Sequence, residues 1–223
     1  MMAARTAILN RLKRKGVSAS RLAAMRAEVE GRLADPPVHP LPARGRVWGE
    51  ERLALFLRMA GEAKAATTRI ASADQLPEEM ASLLRERGLN EELLATQDPL
   101  LDRLPWAAAG IALRHGRAGD AERISLGLAT AGIAETGSLL LAASPENPMS
   151  IHLLADLHIV LLPASRLFGT MEEAFAALRK ETPALPSAAM FVTGPSRTAD
   201  IEQQMQLGAH GPRELRIYLS DGE

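Results

Sequence analysis

Two apolar periodicities run along this chain. Leu53, Phe56, Leu57 and Ala60 fall at helical spacing and predict an amphipathic helix over residues 49–64. Leu76, Met80, Leu83 and Leu84 predict a second helix, with Pro77 at its start and Gly88 as its stop. Met171, Ala174, Phe175 and Leu178 mark the face of a third, and Thr170 with Glu173 forms a capping box at its start. Between these lie short runs that read as strands: 67–72, 92–96, 111–114, 158–163, 190–193 and 215–219. Residues 124–144 are nearly uncharged, with apolar runs broken by glycines, as expected of buried strands joined by tight turns. Short strands alternating with helices, several apolar on both faces, predict an α/β layered domain with a mostly parallel sheet.

The first 45 residues follow a different pattern. Residues 1–32 carry eight basic side chains against Glu28 and Glu30, a net +6, so the remainder carries −7 of the total −1. Ser20 is placed to cap a helix reaching Leu33. Prolines at 36, 37, 40 and 42 then forbid helix and sheet and favour an extended linker. Residues 1–45 are thus expected to be a basic helical arm with a Pro-rich linker, and 46–223 the folded domain. Such an arm is most often a solvated helix or packs on a partner subunit; contact with RNA or a membrane surface is the alternative.

Composition narrows the chemistry. The 223 residues contain no cysteine, which excludes disulfides, thiolate zinc sites, cysteine nucleophiles and Cys-ligated iron–sulfur clusters within them. Aromatic residues make up 3%, so the core must be built from Leu, Ala, Ile and Val. The near-neutral charge gives no reason to expect nucleic acid. No apolar stretch is long enough to span a bilayer and the basic N-terminus lacks the apolar core of a secretory signal, so a cytoplasmic protein is expected.

Ligands of open α/β sheets bind at the carboxyl ends of strands, and two loops are placed to serve there. The first is Ala134–Ser138, with Glu135, Thr136, Gly137 and Ser138. The second runs from Thr193 to Glu202 and carries Gly194, Ser196, Arg197, Thr198, Asp200 and Glu202; His210 follows in a turn. Gly194 permits close backbone approach to a ligand, the hydroxyls donate hydrogen bonds, and the Arg197 fork suits a carboxylate or phosphate. A helix beginning near Thr198 would add free amides. A turn in which Arg197 pairs with Asp200 or Glu202 explains the same residues. Glu135, in an apolar stretch, is either a candidate acid, base or nucleophile or a carboxylate that caps amides or holds Arg197. His152, Asp156 and His158 would share one face of a continuous strand, as a metal set requires. The loop Ser144–Pro148 precedes them, and no metal site is expected.

Phe191-Val-Thr-Gly-Pro-Ser-Arg-Thr-Ala-Asp-Ile-Glu202, followed by Leu207-Gly-Ala-His-Gly-Pro212, resembles the C-terminal signature of the lactate utilization protein C (LutC) type of LUD-domain protein. Ile133-Ala-Glu-Thr-Gly-Ser138 resembles that family's second motif, with Ser138 where threonine is usual. Met149 stands where the family pattern carries an arginine soon after Ser144-Pro145. The likeness runs from about Trp48 to Leu219. It implies a three-layer α/β/α fold similar to the sugar-phosphate isomerase and CoA-transferase superfamily. It also implies a non-redox component of a three-part system that oxidises L-lactate to pyruvate. That component binds two iron–sulfur proteins and a small anion, and carries no cofactor of its own. The superfamily offers an alternative, a CoA-transferase-like or related α/β enzyme using Glu135, since Glu135-x-Gly137 is similar to the glutamate motif of those enzymes.

Overall fold

Strand β7 (Leu157–Pro163) is buried along its whole length, and its side chains alternate between two cores. Leu157, Ile159 and Leu161 enter one; Val160 and Leu162 enter the other. A strand buried on both faces needs neighbours on both edges and covers on both sides. The computed structural model supplies both. It describes residues 6, 16, 18–35, 40–119, 122–181, 186–199, 205–207 and 211–222.

The main sheet contains β1 (Ala66–Ser72), β2 (Glu92–Ala95), β3 (Ala112–His115), β4 (Ile124–Leu128), β7 and β12 (Glu214–Gly222). Its order is β1-β12-β7-β4-β2-β3, and every pairing is parallel. On one face lies helix α3 (Leu76–Arg87), whose Leu76, Met80, Leu83 and Leu84 pack with Leu93, Leu126, Ile159 and Leu161. Gly88 ends that helix in the left-handed region at φ 59°. The short helix α4 (Pro99–Asp102) and Trp106 extend this cover. On the other face, helix α2 (Gly49–Glu62) lays Leu53, Phe56 and Ala60 against Val160, Leu162, Ile217 and Leu219. Each fully buried Leu or Phe contributes about 1.5–3 kcal/mol. These two covers make the α/β/α layering expected from the sequence.

A second sheet was not separable by periodicity alone. β5 (Ala131–Ile133), β6 (Ser138–Ala142), β8 (Leu167–Phe168) and β9 (Ala189–Val192) form a four-stranded sheet of order β8-β5-β6-β9. Leu139 and Leu141 join the α2 core, while Leu140 and Ile133 face helix α6 (Met171–Glu181) through Ala174 and Leu178. Both faces are apolar, so its strands look in sequence like parallel core strands. The capping box of α6 is present: Glu173 N donates to Thr170 Oγ1 at 3.3 Å, and Glu173 Oε2 accepts from Gly169 N and Thr170 N.

Two local expectations are corrected. Ser18, not Ser20, caps helix α1 (Ala19–Ala34), accepting from Arg21 N at 3.3 Å. Thr198, expected near a helix start, lies in a strand: residues Arg197–Ala199 form β10, paired antiparallel with β11 (Met205–Leu207).

The chain divides into two compact units, Met1–Pro40 and Leu41–Glu223. In the first, α1 buries none of its residues, and Leu22, Met25, Val29 and Leu33 are exposed along it. In the second, the 3₁₀ turn Ala43–Gly45 buries Gly45, where a Cβ would come 2.5 Å from Thr170 Cγ2 and 2.9 Å from Gly169 O. Among the described residues no helix is long and apolar enough to cross a membrane.

A chain starting at Leu41 is expected to melt within a few degrees of the full chain, because α1 contains no buried residue. Gly45→Ala should instead lower stability by about 1–3 kcal/mol through overpacking. Thermal and urea denaturation of the two variants check this; a large loss on truncation would show that the arm completes the core.

Candidate functional site

The two loops singled out from the sequence meet. Because β6 pairs with β9, Ser138 Oγ and Thr193 Oγ1 come within 2.6 Å, sharing one hydroxyl proton. Both loops also press on the C-terminal half of α2. Gly137, at φ 66°, lies so close that a Cβ would be 2.2 Å from Ala60 N. Gly194, at φ 77°, would place one 2.0 Å from Ala63 O. The close approach that Gly194 permits is to the chain's own helix end, and Gly194 also lines the cleft beneath this loop.

Beneath the second loop opens a cleft of about 480 Å³, lined by His152, Leu153, residues 190–197, Gly211, Pro212 and Ala63. It sits at the amino ends of the parallel strands. Ala63 precedes β1, His152 precedes β7, and Gly211–Pro212 precede β12. The expected carboxyl-end location is thus corrected. Ser196 N donates to Pro212 O at 2.8 Å and ties the loop to the start of β12. Arg197 is exposed, is the one charged side chain among the described lining residues, and donates to Ala63 O at 3.3 Å. Thr198 lies in β10 opposite Gln206. Asp200, Glu202 and His210 lie outside the described residues.

Glu135 is not on the cleft. It is buried, with Oε1 accepting from Met171 N at 3.1 Å at the start of α6 and its backbone N–H donating to Gly169 O. This is amide capping, the structural alternative weighed above, and the helix terminus favours the negative charge. Glu135 Oε2 and Thr136 Oγ1 are buried without a hydrogen-bond partner among the described residues.

The sequence reading missed the polar chain behind the cleft. His152, on the short helix α5 (Ser150–Leu153), and His158, on β7, are both fully buried. His152 Nε2 contacts Asn147 Oδ1 at 2.7 Å, and His152 Nδ1 contacts His158 Nε2 at 3.0 Å. His158 Nδ1 contacts Ser125 Oγ at 3.0 Å, and that hydroxyl reaches Ile151 O at 2.7 Å. Asn147 Nδ2 donates to Ala142 O at 2.8 Å, which fixes its carbonyl toward His152. Gly127 makes the room: a Cβ there would come 2.8 Å from His152 Cε1 and 3.2 Å from His158 Cε1. Asp156, grouped with the histidines as a metal candidate, is exposed and pairs with Arg123 and Arg213 instead. No metal-binding group of three occurs among the described residues. The available signal was polarity in the wrong place, since Ser125, Gly127 and His158 interrupt strands whose every residue is buried.

Burial holds His152 down to about 4 from its ordinary 6.5, and holds His158 well below that ordinary value with help from His152. Both rings are neutral in the fold at neutral pH.

Residues 53–220 match the LUD domain, and the chain belongs to that family. Among curated proteins it is 37% identical over 89 residues to an uncharacterized protein of Neisseria meningitidis serogroup B, covering 40% of this chain and 38% of that protein. It is 35% identical over 104 residues to lactate utilization protein C of Geobacillus kaustophilus, covering 44% and 43%. Against lactate utilization protein C of Bacillus subtilis it is 33% identical over 107 residues, covering 45% of each. The matched stretch thus spans less than half the length of these relatives. A crystal structure of a DUF162 family protein from Deinococcus radiodurans superposes with a TM-score of 0.57 at 20% identity, covering 78% of this chain and 99% of that one, a likeness of fold.

Acid should act on the fold through the histidines. The unfolded chain binds more protons than the folded one between about pH 4 and 6.5, so their contribution is complete above about 6.5 and lost as pH falls. For His152 alone, the drop from 6.5 to about 4 corresponds to about 3 kcal/mol. Urea titrations of wild type and His152→Gln at about pH 7.5 and 5 should show a steeper acid loss in the wild type; equal losses would refute it. Gly127→Ala is expected to cost about 1–3 kcal/mol by driving a methyl into the buried pair.

Proposed function

We propose that this chain is a small-anion-binding, non-redox component of a three-part L-lactate utilization system, working in the cytoplasm with two iron–sulfur proteins. The observation that carries the binding role is Arg197, an exposed guanidinium on the rim of a cleft whose other described lining residues carry no charge. Its one hydrogen bond within the described structure is a 3.3 Å contact to a helix-end carbonyl. A carboxylate or phosphate matches that fork. The system-level role is supported by relatives named lactate utilization protein C, matched over part of their length. The absence of cysteine from the sequence agrees with a division of labour in which the partners carry the clusters.

The test is Arg197→Ala. An exposed arginine with one long hydrogen bond should leave stability within about 0.5 kcal/mol of wild type. Stabilisation by L-lactate, pyruvate or sulfate in a thermal-shift assay should disappear. A variant that melts normally and keeps its anion response would remove Arg197 from the site. A sharp drop in melting temperature would make it architectural. Co-purification with the two iron–sulfur proteins tests the assembly separately, and the isolated chain should give no lactate-dependent dye reduction above background.

A further inference from the structure

The cleft and the polar chain beneath it share His152. From Asn147 Oδ1 through His152, His158 and Ser125 to Ile151 O there are four links, each needing one proton. Neutral side chains bring three: one on each imidazole and one on the hydroxyl. Asn147 cannot add another, because its amide group is committed to Ala142 O. Exchanging tautomers moves the deficit along the chain without removing it. A fourth proton on the imidazole pair completes every link, with His158 Nδ1 donating to Ser125 Oγ and the hydroxyl donating to Ile151 O.

Charge opposes that proton. Burial disfavours the cation on both rings, and His152 further disfavours it on His158, against a smaller opposing effect of a hydrogen bond with the Ser125 backbone. Among the described residues, the charged side chains on the surrounding elements give it no counter-ion. Glu146, on the loop that carries Asn147, is exposed. Asp156, beside β7, is paired with Arg123 and Arg213 at the surface. Glu214 of β12 is taken by Arg87 and Arg216. Arg197, on the cleft, is itself positive. With no counter-ion among the described residues, the negative charge that would balance this proton is assigned to a ligand in the cleft.

We propose that the His152–His158 pair takes up one proton from solvent when an anion occupies the cleft, so that anion binding and completion of the buried hydrogen-bond chain are a single coupled event. This rests on reading the cleft as an anion site. The anion stays ionised and no covalent bond changes. By linkage, the proton tightens the anion as much as the anion tightens the proton. Affinity should therefore rise as pH falls, by up to about tenfold per pH unit.

Isothermal titration of the full chain with L-lactate and with sulfate, at about pH 6 in two buffers of different ionisation enthalpy, measures the protons exchanged. Sulfate does not titrate there and the lactate carboxylate stays ionised, so uptake reports the protein. The expected result is net uptake approaching about one proton per bound anion, with affinity rising from about pH 8 to 6. His158→Gln should remove the uptake and flatten the pH dependence. Ser125→Ala, which deletes a single buried oxygen at the far end of the chain, should do the same if the first variant folds poorly. Binding without uptake in the wild type, or uptake unchanged in a variant that binds, would overturn the coupling alone. Binding of neither anion would overturn the anion-site reading, and the coupling with it.

Discussion

The cleft exists because two backbone loops are pressed against one helix end. Gly137 meets the backbone at Met59 and Ala60, and Gly194 meets Ala63, at separations no side chain could tolerate. Both glycines also hold positive φ, so the steric and conformational demands coincide at the same positions. The helix end is itself shaped for this contact. Lys64 takes φ 70°, a left-handed value usual for glycine, and turns the chain sharply into β1. That turn leaves Ala63 O facing the cleft, where it accepts from Arg197. These contacts fix the loops that carry the hydroxyl pair Ser138–Thr193 and Arg197 against the helix end.

A second constraint runs through the core. β4 and β7 are buried strands, yet side by side they carry Ser125 and His158, partners in the parallel register. Leucines there would bury more apolar surface and need no partners. The strands instead hold an imidazole and a hydroxyl, linked through His152 of α5 to Asn147 in a run one proton short. A buried polar group left without its hydrogen bond costs about 1–3 kcal/mol. The fold bears this cost directly behind the cleft that Arg197 rims, and Gly127, free of a side chain, leaves space for it.

The main architecture was legible in the sequence because period and punctuation agreed. Pro77 and Gly88 bracket α3, the Thr170–Glu173 box opens α6, and both-face apolar runs mark the parallel strands. The four-stranded sheet was not legible, since an antiparallel strand covered on both faces has no period-two signature to set it apart. The site was half legible. Motif-like polarity led to Arg197, Ser196 and Gly194, and the pairing of β6 with β9 brought Ser138 to Thr193. The histidines looked like a strand-borne metal set because two-residue spacing assumes a continuous strand. Instead α5 intervenes, leaving Asp156 at the surface while His152 and His158 converge from different elements.

The position of the cleft follows from the path of the chain. The β5–β6 hairpin runs back beside α2 before the chain reaches Asn147, α5 and the start of β7, so residues 143–153 are delivered to the amino ends of the parallel strands. β9 pairs antiparallel to β6 and leads into residues 193–197, which bond to Pro212 just before β12. Two connections that would cross the carboxyl ends in a simple βαβ sheet are therefore gathered at the opposite edge. Glu135 sits at the hairpin tip, where its carboxylate faces the first turn of α6 and not the cleft. Its burial beside helix amides accounts for an acidic residue in an apolar stretch, leaving the chemistry of the cleft to the Arg197 cation above and the imidazole pair below.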